Sequence, residues 1–269
     1  MTAVELELRT PYMKAEVIDG IGWMTFNNPE RRNAMKMEMN EAIAEILASF
    51  HADDHVRVVV MQGAGDKAFV SGADISEFET HRSTPEGRQR FDAVAAAAGR
   101  AFASLDKPLI AKIRGFCMGG GLATALQADI RISADDGQFG IPAARLGLGY
   151  GFSGIHKLIG LIGPAMTNEV LMTARRFSAE EAFAMGLINR VVPAVDLDAA
   201  VVELASQIAA NAPLTVKAAK AAVGEAVKDP ERRDLDRIAV MVETCFNSED
   251  YIEGRRAFME KRQAEFKGR

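Results

Sequence analysis

Two short loops carry most of the information in this chain: Phe69-Val70-Ser71-Gly72-Ala73-Asp74-Ile75 and Gly115-Phe116-Cys117-Met118-Gly119-Gly120-Gly121. In each, glycine precedes a segment with helical character. The first N–H groups of a helix lack partners within the helix and lie at the positive end of its dipole, and glycine lets a ligand oxygen approach them closely. Together the loops could direct two backbone N–H groups at one oxygen atom, which is the outline of an oxyanion hole.

The segments around these loops alternate between strand and helix. Leu109 to Ile113 and Ile130 to Ser133 are apolar runs typical of buried strands, and Gly120 to Ala128 between them is typical of a buried helix. Val56 to Met61 predicts another strand, and Met37 to Ser49 predicts a helix before it. This alternation indicates an α/β core with a parallel sheet.

A hairpin and a helical segment complete the outline. Asp19-Gly20, between Val17-Ile18 and Trp23-Met24-Thr25-Phe26, is a strong hairpin turn signal. Beyond Pro193 the pattern is helical only, and turn residues separate the segments. The predicted helices are Ala199 to Ala210, Leu214 to Val227, Arg232 to Phe246 and Asp250 to Phe266. We therefore expect a core over residues 1–194 and a helical segment over residues 195–269.

Composition argues against several classes of protein. The net charge of −5 offers no overall positive field for nucleic acid or for an anionic membrane surface. No apolar run approaches the roughly 20 residues that span a membrane, and Met1 to Tyr12 lacks the apolar block of a signal peptide. The two cysteines, Cys117 and Cys245, fit a reducing compartment. We expect a cytoplasmic protein that binds neither nucleic acid nor membranes.

The two loops, their order and their separation resemble the enoyl-CoA hydratase/isomerase (crotonase) superfamily. Further stretches agree over nearly the whole chain, and the ordered set is specific. They are Asn28-Pro29 through Asn33-Ala34, Asp106-Lys107-Pro108, Ala128-Asp129-Ile130-Arg131, Phe139-Gly140-Ile141-Pro142, Ala182-Phe183-Ala184-Met185-Gly186-Leu187-Ile188-Asn189 and Glu253-Gly254-Arg255-Arg256-Ala257-Phe258. The resemblance implies an α/β crotonase (ClpP-like) spiral of ββα units. It also implies a C-terminal helical segment that builds homotrimers, often paired as hexamers.

The resemblance further implies a site for an acyl-CoA thioester. The N–H groups of Ser71 and Gly120 would stabilise the negative charge on the thioester oxygen as an enolate forms. Phe258 and Lys261 match a C-terminal pair that reaches the coenzyme A of a neighbouring subunit. Coenzyme A enters as part of the substrate, and no metal or tightly bound cofactor is implied. The coenzyme A path and its nearby cations would involve Asn33, Ala34, Met35, Ala68, Gly72, Ala73, Asp74, Ile75, Phe116, Gly119, Pro142 and Ala143, with Arg31, Arg32 and Lys67.

At two positions the chain departs from the family pattern. Hydratases of the family use two glutamates, and the matching positions here hold Ala123 and Ala143. Alanine cannot activate water or transfer a proton, so the standard hydration is disfavoured. The nearest other carboxylates in sequence are Asp74, Glu77 and Asp129.

Tyr150 is the side-chain candidate for the reaction. Leu146-Gly147-Leu148-Gly149-Tyr150 and the following Gly154-Ile155-His156-Lys157-Leu158 resemble the methylmalonyl-CoA decarboxylase branch, in which a tyrosine at this place faces the substrate. That branch has a histidine where Ala73 stands. Tyr150 could orient the acyl group or supply a proton, or it could pack against the pocket wall.

Three function classes follow from these residues. The first is an enzyme of the family, and loss of carbon dioxide from a malonyl-type thioester is its clearest reaction, because the enolate then forms without removal of a proton. The second is a non-catalytic acyl-CoA binder, since a disused site would also keep the hole and lose both glutamates. The third is a dehydrogenase, because Gly149-Tyr150-Gly151-Phe152-Ser153-Gly154 has the dinucleotide spacing, but no apolar strand precedes it.

Overall fold

The computed structural model describes residues 4–77 and 83–269, which contain two β-sheets. The larger sheet has seven strands in the order β1-β2-β3-β4-β6-β8-β11, and the smaller has four in the order β10-β9-β7-β5. The strands are β1 (Val4–Glu5), β2 (Met13–Ile18), β3 (Ile21–Phe26), β4 (Val58–Gly63), β5 (Ala68–Val70), β6 (Leu109–Ile113), β7 (Phe116–Met118), β8 (Ile130–Ala134), β9 (Gln138–Gly140), β10 (Phe177–Ser178) and β11 (Arg190–Val192).

Helices cover both sheets and form the C-terminal segment. They are α1 (Met37–Ala52), α2 (Pro85–Ser104), α3 (Gly120–Ala125), α4 (Phe152–Thr173), α5 (Ala179–Ala184), α6 (Leu197–Ala209), α7 (Pro213–Ala226), α8 (Leu235–Phe246) and α9 (Glu249–Glu260). Short 3-10 helices lie at Pro29–Arg31, Pro142–Leu146, Ala194–Asp196 and Pro230–Arg232. The α/β class predicted from the sequence is confirmed.

The larger sheet is buried on both faces in its parallel part. Strands β3, β4, β6, β8 and β11 run parallel, and the residues from Val58 to Met61 in β4 are fully buried. One face packs on α6 through Leu197 and Val201, whereas Ile43 and Leu47 of α1 belong to the core on the other side. Burial on two faces explains why these strands are continuous apolar runs in the sequence.

The predicted hairpin is present. Strands β2 and β3 pair in antiparallel register, with Ile18 opposite Ile21. The two turn residues between them both have positive φ, 50° at Asp19 and 81° at Gly20. This is the backbone that a two-residue hairpin turn requires, and it explains the Asp-Gly pair.

The smaller sheet positions the two glycine loops. Its strands β5 and β7 run parallel, with Ala68 opposite Phe116 and Val70 opposite Cys117. Because the carboxyl ends of parallel strands meet at one edge of a sheet, the loops that follow β5 and β7 lie side by side. This sheet was not predicted from the sequence, since its strands are only two or three residues long.

The last predicted helix ends earlier than expected. We predicted a helix from Asp250 to Phe266, but α9 ends at Glu260 and Lys261 adopts a left-handed φ of 54°. The tail then turns back, and the Asp250 carboxylate accepts hydrogen bonds from the Lys267 and Gly268 N–H groups at 2.7 and 2.8 Å. Local side chain to backbone bonds of this kind compete with helix formation.

Within the described ranges, no individual helix combines the length and apolar character needed to cross a bilayer. Two helical segments, Ala194–Ala209 and Pro213–Ala226, meet those criteria only when taken together, and they are bent by 105° relative to each other.

Candidate active site

The two glycine loops converge next to Pro142. A Cβ built on Gly120 would lie 3.6 Å from the Ala73 nitrogen, and one built on Gly119 would lie 4.0 Å from the Gly72 Cα and 3.8 Å from the Pro142 Cδ. The ends of β5, β7 and β9 therefore enclose one small volume. This arrangement places the backbone of both loops within reach of a single ligand group.

Close packing makes glycine necessary at the start of α3. A Cβ on Gly121 would lie only 2.0 Å from the Val70 carbonyl oxygen, far inside van der Waals contact. The preceding Gly119 has a φ of 52°, a conformation that side chains disfavour. The glycine run thus lets α3 begin directly against β5.

The predicted role of the Ser71 N–H group is contradicted by its hydrogen bond. The Ser71 nitrogen donates to the Arg32 carbonyl oxygen at 3.1 Å, and the Ser71 hydroxyl donates to the Arg31 carbonyl oxygen at 3.3 Å. A backbone N–H that already has a protein acceptor is not free to bind a ligand oxygen. The acceptor, the Arg32 carbonyl, belongs to a turn that is distant in sequence, so the loop motif alone could not predict this hydrogen bond.

Ala73 is better placed than Ser71 to provide that donor. On either side of it, the Met35 N–H donates to the Gly72 carbonyl at 2.8 Å and the Asp74 N–H donates to the Met35 carbonyl at 2.9 Å. In this parallel bridge the Ala73 N–H points away from Met35, and the Cβ position of Gly120 lies 3.6 Å from the Ala73 nitrogen. Ala73, which we expected on the coenzyme A path, is therefore a candidate donor that its motif did not reveal.

Gly120 keeps the position predicted for it. It is the first residue of α3, so its N–H has no acceptor within the helix. The helix dipole adds partial positive charge at this end, which favours a developing negative charge on a ligand oxygen.

Asn33 is a structural residue in this site. Its side chain is fully buried, and its Nδ2 donates to the carbonyl oxygens of Ala64 and Ala68 at 3.0 and 2.8 Å. Its Oδ1 accepts a bond from the Asn28 N–H at 3.0 Å. Asn33 therefore fixes the turn that carries Arg32 and Ala34, and its side chain has no polar group left for coenzyme A.

A cleft beside this turn holds two of the predicted cations. Arg32 and Lys67 line it together with Asn33 and Ala68. The Arg32 guanidinium also lies 5.0 Å from the centre of the Phe116 ring, and Arg176 lies 5.1 Å from the same ring. The cleft thus has two cations in its lining, together with the carboxylates of Glu30 and Asp66, and Arg32 joins it to the Phe116 ring.

The other predicted coenzyme A residues fall into two groups. Ile75 ends the first loop and is 59% exposed, and Ala143 lies in the 3-10 helix that begins at Pro142. Phe258 and Lys261 lie on or just after α9 in the C-terminal segment, where the 82% exposed Phe258 lines an apolar groove. Within one chain, the structure places this C-terminal pair in a different region from the loops.

The nearby carboxylates are engaged in structural hydrogen bonds. The Asp74 Oδ1 accepts the Ser76 N–H and hydroxyl at 3.0 and 2.6 Å. The Glu77 Oε2 accepts the Met37 N–H at 2.9 Å. The Asp129 Oδ2 accepts the Leu109 N–H at 2.7 Å and pairs with the Lys220 ammonium at 2.9 Å.

Ala123 and Ala143, the positions at which we expect the family's glutamates, lie on α3 and on the 3-10 helix that begins at Pro142. Ala123 is in α3, about one turn after Gly120. Ala143 is half-buried in the 3-10 helix and packs against the core. Neither side chain can carry a proton.

Tyr150 has a buried hydroxyl without a partner among the described residues. Its ring packs against Gly154, where a Cβ would lie 2.7 Å from the Tyr150 Cε1. Burial, with a smaller effect from Cys117, raises the pKa of Tyr150 to about 12. At neutral pH the phenol therefore keeps its proton and can donate a hydrogen bond.

The dinucleotide spacing at Gly149 to Gly154 lacks the strand that such a site requires. The segment before it is the 3-10 helix Pro142–Leu146, and α4 begins at Phe152. In the described part of the chain, no three His, Cys, Asp or Glu side chains form a group that could hold a metal ion.

Comparison with known proteins agrees with this architecture. The family described as Enoyl-CoA hydratase/isomerase matches residues 16–269. The short-chain-enoyl-CoA hydratase of Clostridium acetobutylicum is 36% identical over 247 residues, which cover 91% of this chain and 94% of that protein. The carnitinyl-CoA dehydratase of Proteus mirabilis is 38% identical over 248 residues, which cover 89% and 92%.

Solved structures show the same fold. An enoyl-CoA hydratase/carnithine racemase from Magnetospirillum magneticum superposes with a TM-score of 0.90 at 34% identity, and the match covers 97% of each chain. The extent of these matches confirms the crotonase fold expected from the two loops. The chain belongs to the enoyl-CoA hydratase/isomerase family of enzymes.

Proposed function

We propose that this enzyme binds an acyl-CoA thioester and stabilises its enolate between the N–H groups of Ala73 and Gly120. The observation that carries the proposal is the approach of the two loops, with the Ala73 nitrogen 3.6 Å from the Cβ position of Gly120. The names of the relatives, a hydratase and a dehydratase of CoA thioesters, support the substrate class.

The two donors would act on the charge that develops in the transition state. Both belong to backbone held by the sheet, the bridge to Met35 and α3, so they need no reorganisation as the thioester oxygen becomes negative. Removal of one such donor typically lowers kcat by about 10²- to 10³-fold.

The residues around the hole favour a reaction that needs no carboxylate base. In decarboxylation of a malonyl-type thioester, the bond between Cα and the carboxylate breaks, carbon dioxide leaves, and the electron pair forms the enolate. The enolate then takes a proton at Cα, which we assign to the Tyr150 hydroxyl with replacement from solvent. The engagement of Asp74, Glu77 and Asp129 elsewhere supports this choice over hydration.

A non-catalytic acyl-CoA binder is the second candidate. The same observation favours it, because a site that keeps the hole and whose described neighbours Asp74, Glu77 and Asp129 are hydrogen-bonded to other protein groups could bind a thioester without converting it. Turnover separates the two candidates. The enzyme would release carbon dioxide from malonyl- or methylmalonyl-CoA, whereas the binder would bind these thioesters unchanged.

We also propose that the chain forms a homotrimer or a dimer of trimers. Exposed apolar side chains of α7 to α9 line one groove, and an apolar groove of this kind is a site for association. A second copy would cover the groove and bring its Phe258 and Lys261 to the coenzyme A of its neighbour. The groove includes Ala218, Ala222, Val242, Phe246, Tyr251, Phe258 and Met259.

Proline substitutions test the oxyanion hole directly. Gly120→Pro and Ala73→Pro each remove one N–H group, and neither N–H supports the helix or the bridge described above. We expect each variant to keep its fold by circular dichroism and to lose about 10²–10³ in kcat. Ser71→Ala is the matched control and should keep kcat. Equal kcat in all three variants would exclude the proposed hole.

The location is tested by fractionation. The described cysteines, Cys117 and Cys245, are free, which suits a reducing compartment, and we place the enzyme in the cytoplasm. Recovery of the native protein in the cytosolic fraction would support this location, and recovery outside it would contradict it.

A further inference from the structure

Lys157 is a cation without a carboxylate partner. Its Nζ donates to the Oε1 of Gln127, which is a neutral acceptor. Of the ion pairs formed within residues 4–77 and 83–269, none includes Lys157. Part of the side chain is exposed, yet burial lowers the pKa of its ammonium group, Arg131 lowers it further, and the Asp129 carboxylate acts in the opposite direction from beyond ion-pair distance. An ammonium ion in such surroundings gains free energy from an added anion.

Gln127 connects Lys157 to the helix that begins at the oxyanion hole. The Gln127 Nε2 donates to the Ala123 carbonyl oxygen at 3.2 Å. Gly120, Ala123 and Gln127 are separated by three and four residues, so they fall on one side of α3 and its C-terminal turn. Along the helix axis, Gln127 lies about 10 Å from Gly120.

Tyr150 approaches the same side of α4 as Lys157. Its ring packs on Gly154, and Lys157 follows Gly154 by three residues, which is about one helical turn. Within the described residues, the Tyr150 hydroxyl has no partner, and the Lys157 ammonium donates to a neutral amide oxygen and forms no ion pair. Lys157 is therefore joined through Gln127 to the side of α3 that begins at Gly120, and it lies one turn of α4 from the residue on which Tyr150 packs.

We propose that the acyl group of the substrate carries a carboxylate at its far end, and that Lys157 binds it. This inference rests on the proposed function, in which the thioester oxygen lies at Gly120. Gln127, the hydrogen-bond partner of Lys157, lies about 10 Å from Gly120 along α3, so Lys157 would bind a carboxylate at the end of the acyl chain and not one attached to Cα. The same charge disfavours an acyl group with a quaternary ammonium, such as the carnitinyl group in the names of the dehydratase relatives.

Unreactive thioesters of matched length test the proposal by calorimetry. Butyryl-CoA and succinyl-CoA differ in a terminal methyl against a terminal carboxylate, as do hexanoyl-CoA and adipoyl-CoA. We expect the carboxylate form of at least one pair to bind about three- to tenfold more tightly. In Lys157→Gln this preference disappears while the Kd of the methyl forms stays the same.

Two further variants complete the test. Lys14→Gln removes the same charge from an exposed position of β2 and should keep the preference. Lys157→Glu should weaken the binding of succinyl-CoA further and strengthen the binding of 4-(trimethylammonio)butyryl-CoA. These charge-dependent shifts would support the proposal.

Two results would overturn the proposal in different ways. If butyryl-CoA binds more tightly than free coenzyme A but shows no difference from the carboxylate forms, or if the difference survives Lys157→Gln, then the role of Lys157 is wrong and the proposed function stands. If no acyl form binds more tightly than free coenzyme A, then the proposed function fails together with the inference.

Discussion

The Nδ2 atom of Asn33 lies 2.8 Å from the carbonyl oxygen of Ala68 and joins the turn before α1 to strand β5. The same amide reaches the Ala64 carbonyl at 3.0 Å, so one buried side chain connects three separate segments. The turn and the first glycine loop are adjacent because of this connection, since the Ser71 N–H then meets the Arg32 carbonyl.

Asn33→Ala should destabilise the enzyme strongly. It leaves buried carbonyl groups and the Asn28 N–H without partners, and it puts alanine at a φ of 56°. We expect the free energy of unfolding in urea to fall by about 3 kcal/mol. Asn40→Ala is the control, since its amide makes one long helical contact of 3.4 Å, and it should change stability by less than about 0.5 kcal/mol. Similar losses in both variants would contradict this role.

Gly121→Ala should damage both stability and activity. The new methyl group would meet the Val70 carbonyl at 2.0 Å, so α3 must move away from β5. We expect a loss of about 3 kcal/mol or more in thermal or urea unfolding. Gly99→Ala in α2, where nothing lies within 4 Å of the new Cβ, should instead stabilise the helix by about 0.5–1 kcal/mol. A stable Gly121→Ala variant would show that the loops can separate.

Tyr150→Phe should separate stability from catalysis. Removal of a buried hydroxyl without a partner costs no protein hydrogen bond, so the melting temperature should stay the same or rise. The same change should lower kcat on the converted thioester by about 10²-fold or more, because the proton donor is lost. An unchanged kcat would remove Tyr150 from the mechanism.

The pKa of Tyr150 predicts where its proton is lost. Burial raises the folded-state pKa from the ordinary 10.0 to about 12, so the neutral phenol is favoured in the fold. Its contribution to stability is therefore complete below pH 10 and is lost as the pH rises from about 10 to about 12. Absorbance titration of the wild type minus Tyr150→Phe should show no ionisation of Tyr150 at pH 10, and ionisation at that pH would disprove the shift.

Cys117 should resist alkylation in the native enzyme. The thiol is fully buried in β7, and burial raises its pKa well above the ordinary value, so almost no thiolate forms at pH 8. We expect iodoacetamide to label Cys117 only after denaturation, as measured by peptide mass spectrometry. Rapid native labelling at Cys117 would mean that the site opens far more than the structure indicates.

The long buried strands and helices were predictable from the sequence, because burial in the core requires apolar residues at regular positions. Leu109–Ile113 matches the prediction for β6, and β8 extends the predicted Ile130 to Ser133 by one residue. The helix predicted from Met37 to Ser49 ends three residues later, at Ala52. Burial on both faces of the sheet specifies these elements locally.

The parts that were missed depend on contacts between distant residues. Strands β5, β7 and β9 are three residues each, too short for a periodic signal, and they exist because they pair with one another. The Ser71 error has the same origin, since the acceptor of its N–H belongs to a turn at Arg32. The end of α9 was misplaced because Asp250 binds the returning tail.

The packing at Gly63, Gly115 and Gly121 divides the site into positions that tolerate change and positions that do not. At each of the three glycines, a methyl group would overlap a backbone oxygen at 2.0 to 2.2 Å, and backbone cannot rotate out of the way. Libraries that seek new reactions should therefore leave these glycines unvaried. Substitutions should instead be made at Ala123 and Ala143, where we expect a new side chain to change the chemistry and leave the fold intact.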